Sequence, residues 1–268
     1  MTPVNTQNDP AQFNHQIEEA RRLREFAFSI LEGKHDGHFE RKDYIGFAQI
    51  NRCLQLHESV EIVARASLID DAWVLVRSLV EHALNSVYMF NIADGATAND
   101  FNDYQYYLAY KNVLDLKSTD EAMLRKLVSA EHEEKMRLRF ESVRARFDDK
   151  RGDKWCVDDA LYKRAIRLDK LISEQSGKTR TEFTWLVNTL WRYASVYTHG
   201  TAGALSDQLE EGDTGVVVRR SYNYAEAAKA VQSANSALYL ALLPVDVRLG
   251  GKNSAELNRR FGEWVAAS

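Results

Sequence analysis

The chain carries three prolines, Pro3, Pro10 and Pro244, so nothing between the last two removes a backbone N–H or clashes with a helical turn. Helix or central strand is therefore open to it almost everywhere, and the apolar pattern decides for helix. Ile17, Leu23, Phe26, Ile30 and Leu31 keep the three-and-four spacing of one apolar stripe, ended by Gly33. Ile45, Ile50, Leu54, Val60, Ile62 and Val63 make a second stripe between Asp43 and Ala66. After a break at Ser67 to Asp70, a third helix is expected to reach Asn91, with Asp70 or Asp71 as its N-cap. A tyrosine-rich helix follows from Asn99 or Asp100 to Leu116, then a long charged one from Thr119 to Lys150, then another from Asp158 to Gly177. The segments Thr181 to Thr198, Tyr222 to Leu242 and Ser254 to Ala266 complete the set. Gly200, Gly203, Gly212 and Gly215 mark 200–221 as a mobile loop in which Val216 to Arg219 suit a short strand.

With no repeat and no Pro/Gly/Ser-rich linker, the expectation is all-α: one helical bundle of about seven to nine helices over residues 1–268. A short β-hairpin after the Thr181–Thr198 helix, and C-terminal helices over 222–268, fit that plan.

At 45% hydrophobic the chain can bury a sizeable core. Its 35 Lys+Arg against 39 Asp+Glu give a net charge of -4, so no global field draws it to nucleic acid or anionic lipid, and any polyanion site is local. Cys53 and Cys156 lie far apart, which suits reduced thiols better than a disulfide framework or a metal cluster. Met1 to Pro10 is polar, without the basic and apolar regions of a secretory signal, so a cytoplasmic location is expected. The third helix is apolar enough to suggest a membrane span, but Arg77 and Glu81 near its middle would cost several kcal/mol in lipid. No membrane partner is expected.

Phosphate-cradling Gly-x-x-x-x-Gly-Lys-Ser/Thr, Gly-x-Gly-x-x-Gly and the Gly-x-Ser-x-Gly elbow do not occur in the sequence. His132-Glu133-Glu134-Lys135-Met136 begins like a zincin helix but puts Met136 where a second imidazole belongs. His35 and His38 flank a turn with no third ligand nearby. Neither a metal site nor a cofactor is expected.

Two helices carry more information. On the third, at about 100° per residue, Arg77, Glu81 and Tyr88 fall within a strip about 40° wide, beside His82, Asn85, Trp73 and Val74. Either the Arg77–Glu81 pair only satisfies itself inside the core, or Glu81 holds Arg77 at an internal polar site. On the Thr181–Thr198 helix, Asn188, Arg192, Ser195 and His199 sit at offsets of four, three and four, within about 60° of one another. Phe183, Leu186, Leu190, Tyr193 and Tyr197 take the opposite face, with Val187, Trp191 and Val196 flanking the polar strip. The strip contains none of the Lys and Glu that cover a solvent face. His199 stands just before Gly200, where it is either an ordinary C-cap or an imidazole placed to reach a ligand.

Arg192, six residues and His199 match the Arg-x(4 to 6)-His signature of the HEPN superfamily, the higher eukaryotes and prokaryotes nucleotide-binding helical domains. Residues 45 to 200 also resemble a bacterial group of domains of unknown function. There a helix like Val76-Arg77-Ser78-Leu79-Val80-Glu81 is followed by a tryptophan such as Trp155, then a helix like Tyr193-Ala194-Ser195-Val196-Tyr197-Thr198-His199-Gly200. The resemblance implies a helical bundle, often a homodimer, whose active members cut RNA without a metal at a cleft shared by two subunits. It implies that His199 acts as general base or acid on a ribose 2'-hydroxyl and that Arg192 meets charge on the phosphorane. Ser195 or Asn188 would orient the phosphate, with Arg77 and Glu81 behind them or as a second phosphate contact. Active members often place a small polar residue after the arginine, where this chain has Tyr193.

Three readings follow: a ribonuclease or toxin-type effector in phage defence or a toxin–antitoxin pair, a non-enzymatic nucleotide, anion or protein-binding domain, and a structural network. RNA requires a basic groove. Lys135, Arg137, Arg139, Arg144, Arg146, Lys150, Arg151 and Lys154, followed by Arg164 and Arg167, supply either that groove or a solvated face. Asp207, Glu210, Glu211 and Asp213 would repel a phosphate backbone beside His199, or serve as a lid.

Overall fold

A computed structural model describes residues 10–32, 38–147, 160–199, 209–212, 215–218 and 223–267. The order is α1 (Pro10–Leu31), α2 (Arg41–Arg65), α3 (Ile69–Asn91), α4 (Gly95–Thr119), α5 (Glu121–Leu127), α6 (Ala130–Val143) and α7 (Leu161–Ser176). Next comes one continuous helix, α8, which opens over Glu182–Trp185, widens into a π segment over Leu186–Trp191 and closes over Arg192–Thr198. The strands β1 (Leu209–Gly212) and β2 (Gly215–Val218) pair antiparallel, and α9 (Tyr224–Arg248) and α10 (Ser254–Ala267) end the chain. The fold is all-α. The rest of the expected 200–221 loop, with Gly200, Gly203, Asp207 and Asp213, lies outside the described residues, as do His35, Lys150, Arg151, Lys154, Trp155 and Cys156.

The body is built on α3, which packs against α2, α9, α8 and α7. Small side chains let the helices approach closely. Ala227, Ala230, Ala234, Ala237 and Ala241 of α9 are all buried, and the Phe90 ring of α3 lies against the backbone of Gly46 on α2. An added Cβ at Gly46 would stand 2.6 Å from Phe90 Cζ. A second, aromatic core of Tyr104, Tyr107, Tyr110, Phe140 and Phe147 joins α4 to α6.

Side-chain caps explain where the expected boundaries move. The long charged helix is two helices, because Asp120 accepts from Met123 N and Ser129 accepts from His132 N, each starting a new helix. The N-cap of α3 is Leu68, and Asp70 and Asp71 lie inside its first turn. The α9 helix does not stop before Pro244 but runs through it to Arg248, with Val245 and Asp246 buried beyond the proline. Asp169 of α7 accepts from Phe183 N at 3.0 Å and Thr184 N at 2.8 Å, capping α8 from a neighbouring helix. That bond fixes α8 against α7. No described helix is long and apolar enough to cross a membrane.

Candidate functional site

Helices α3 and α8 run antiparallel, and a polar seam lies between them. Arg77 donates from Nε to Ser195 Oγ at 3.1 Å and pairs through a terminal nitrogen with Glu81 Oε1 at 3.1 Å. Trp191 donates from Nε1 to the same Glu81 oxygen at 2.8 Å, and the Arg77 guanidinium lies 4.9 Å from the centre of the Trp191 ring. The Ser195 hydroxyl in turn donates to the Trp191 carbonyl at 2.7 Å. Four side chains thus close a loop of hydrogen bonds and one cation–π contact.

The pair on α3 is less deeply placed than its apolar helix suggests. The Arg77 and Glu81 side chains keep 25% and 36% of their exposure, so the expected burial is corrected to a half-open seam. The reason is α8 itself: Trp191 covers one side of the pair and leaves the other to solvent.

The four residues expected on one strip of α8 divide. Ser195 turns to α3, and the Asn188 Oδ1 atom is buried. Arg192 and His199 are exposed, and the Arg192 guanidinium reaches across to α7, 5.8 Å from the centre of the Tyr162 ring. The π turn over Leu186–Trp191, whose bonds span five residues instead of four, shifts Asn188 alone; Arg192 to Thr198 is regular α-helix, so Ser195 stays within about 60° of Arg192 and His199, at the α3 edge of their face. His199 is the C-cap of α8, its backbone N–H donating to Ser195 O at 3.2 Å.

Two participants escaped the sequence reading. Trp191 looked like a flank of the strip and is the hinge of the seam; Tyr162, the second residue of α7, meets Arg192. A signal for Trp191 was available in its four-residue offset to Ser195, but nothing local announces Tyr162. Tyr193, beside Arg192, turns the other way: its ring lies 4.7 Å from that of Trp73, and its hydroxyl meets Tyr197 at 3.1 Å and Glu226 at 3.3 Å.

The basic stretch of α6 is largely matched by acids. Lys135 pairs with Glu131, Arg137 with Glu134, Arg139 with Asp103, Arg144 with Glu141, and Arg146 with Asp100 and Asp103. This is the solvated face rather than an open cationic groove. Among the described residues, no three His, Cys, Asp or Glu side chains come together in a metal-binding group.

The family model described as "Family of unknown function (DUF5677)" matches residues 43–216, a span that runs from the start of α2 through α8 to β2. No curated protein and no solved structure matches the chain.

Proposed function

The chain belongs to the DUF5677 family, and from the two faces of α8 we propose that it is a HEPN-like, metal-independent endoribonuclease, an effector of the toxin or phage-defence kind acting as a homodimer in the cytoplasm. One observation carries the reading. Arg192 and His199 are both exposed, two turns apart on one helix, while the seam of Arg77, Glu81, Trp191 and Ser195 braces that helix along the adjoining α3 side. His199 takes the proton from a ribose 2'-hydroxyl, the freed oxygen attacks the adjacent phosphorus, the P–O5' bond breaks, and the imidazolium returns its proton, through water, to the leaving 5'-oxygen. Arg192 meets the charge that builds on the phosphorane. The products are a 2',3'-cyclic phosphate and a 5'-hydroxyl end. Ser195 spends its hydroxyl on Arg77 and Trp191, so its part is to hold α8 in place, as is that of Arg77 and Glu81.

A cleavage assay in EDTA with purified protein tests this. His199→Ala is expected to abolish cutting with the melting temperature unchanged, and Arg192→Lys to remain poor because a point charge replaces a planar fork. Equal rates for His199→Ala and the parent overturn it.

Tyr193 favours a second reading, a non-enzymatic nucleotide or anion-binding domain. Turned away onto Trp73, Tyr197 and Glu226, it leaves no small polar side chain next to Arg192 to meet a substrate. A parent that binds RNA or nucleotide but never cuts it selects this alternative.

A further inference from the structure

The outer face shared by α7 and α8 is unusual for a solvent surface. Trp185 and Tyr162 are 46% and 39% exposed, Ile166 is also exposed one turn after Tyr162, and Arg192 leans over the Tyr162 ring. The two helices run antiparallel, pinned by Asp169 at the start of α8 and by the Arg192–Tyr162 contact at the other end. Trp185 and Ile166 therefore lie between those two pins. Large apolar side chains grouped at a surface mark a place of contact.

Charge says what kind of contact. Between Phe183 and His199 the sequence has no Asp or Glu, and between Tyr162 and Lys170 it has one, Asp169. Asp169 is buried and spent on the α8 amides. On the same face α7 exposes Lys163 and Lys170, the latter 4.0 Å from the exposed Glu174. The acids bordering the face, Glu174 and Glu182, lie at its Trp185 end and are matched by Lys170 and Arg180, so in a chain with a net charge of -4 the stretch from Lys163 to Arg192 is a local attraction for a polyanion.

We propose that this face is a stacking platform for unpaired nucleobases, so that the strand handled by Arg192 and His199 is single-stranded RNA rather than duplex. Trp185 and Tyr162 receive the base faces, Lys163 and Lys170 follow the backbone, and Arg192 takes the phosphate between them. Only splayed bases present a ring face to side chains, because those of a duplex are stacked on one another. The span from Trp185 to Arg192 is about 10 Å, enough for a short strand to run across it. This inference rests on the ribonuclease reading for the identity of the strand, but its test stands apart from cutting.

The test uses the His199→Ala protein, which leaves RNA intact, and a fluorescein-labelled RNA of about twelve nucleotides, single or annealed to its complement, read by anisotropy. The single strand is expected to bind at least about tenfold more tightly than the duplex. Trp185→Ala and Tyr162→Leu should each weaken single-strand binding about fivefold to a hundredfold, and Trp185→Phe, which keeps a ring, should retain it. Equal affinity for the two RNAs, or aromatic variants that bind like the parent, overturns the proposal. So does a Trp185→Ala protein that loses only self-association in sedimentation, since the face is then a contact between copies. A parent that binds single strands through Trp185 but never cuts them removes the nuclease reading and leaves the platform. A parent that cuts with a KM indifferent to Trp185→Ala and Tyr162→Leu does the reverse.

Discussion

Two polar networks sit on the apolar helices of this bundle, and they differ in how completely they close. In the first, between α1, α2 and α9, Arg24 donates to His57 Nδ1 at 3.0 Å, which leaves His57 Nε2–H to donate to Asn235 Oδ1 at 2.8 Å. Asn235 Nδ2 donates onward to Gln16, and Arg24, Arg21 and Arg65 all converge on Glu61. His57, Glu61, Asn235 and Gln16 are buried. The second is the α3–α8 seam, where Arg77 and Glu81 remain partly in water. A closed network fixes a core. An open one braces a helix whose exposed face stays available, so on the proposed reading the first network serves stability and the second supports the site.

The comparison breaks most readily at Glu61. Glu61→Ala strands the nearly buried Arg24 and is expected to cost about 3–5 kcal/mol in chemical denaturation. Acid should act on the same network. Burial, then the charge of Arg24, pushes the His57 imidazole down to about 3, so the unfolded chain takes up the proton first. Stability is then full above the ordinary value near 6.5 and falls as pH drops toward 3, at about 1.4 kcal/mol per pH unit where only the unfolded form is protonated. Burial raises the Glu61 carboxyl, but the Arg24 hydrogen bond and charge, with Arg65, outweigh it and hold it low, adding loss of the same sign below about pH 4.5. His57→Gln should flatten the slope between pH 6.5 and 4.5, measured by denaturant titration. At Gly46, alanine is expected to cost about 1–3 kcal/mol by driving Phe90 from its place.

Effects at the seam are smaller. Trp191→Phe and Glu81→Gln should each cost about 1 kcal/mol, with a coupling of about 0.5 kcal/mol or more in a double-mutant cycle. Additive values would separate Trp191 from the pair. Arg137→Ala on α6, which breaks an exposed pair with Glu134, should leave the denaturation midpoint indistinguishable from that of the parent.

The same contrast explains what was legible beforehand. Arg77 and Glu81 stand out because they are the two charged residues between Ala72 and Phe90 on a largely apolar helix, and the helical class follows from proline-free periodicity. His57 and Glu61 do not stand out: with Glu58 and Arg65 nearby they look like an ordinary charged face. Their partners come from Arg24 and Gln16 on α1 and from Asn235, 178 residues beyond His57. No local pattern encodes such a meeting. The shift of Asn188 relative to the rest of the α8 strip was hidden for another reason, since a π turn alters the angle per residue without any proline or glycine to mark it. The break at Asp120 and Ser129 is written in capping residues, but the surrounding charge pattern masks it.

In the proposed reaction the exposed Arg192–His199 face uses the ribose 2'-hydroxyl itself. Two single strands of one sequence, all-ribose and 2'-deoxy at every position, incubated with the protein in EDTA, test it directly. The ribose strand alone is expected to be cut, leaving 2',3'-cyclic phosphate and 5'-hydroxyl ends, and His199→Ala is expected to cut neither. A ribose strand left whole, or a deoxy strand cut at the same rate, contradicts it.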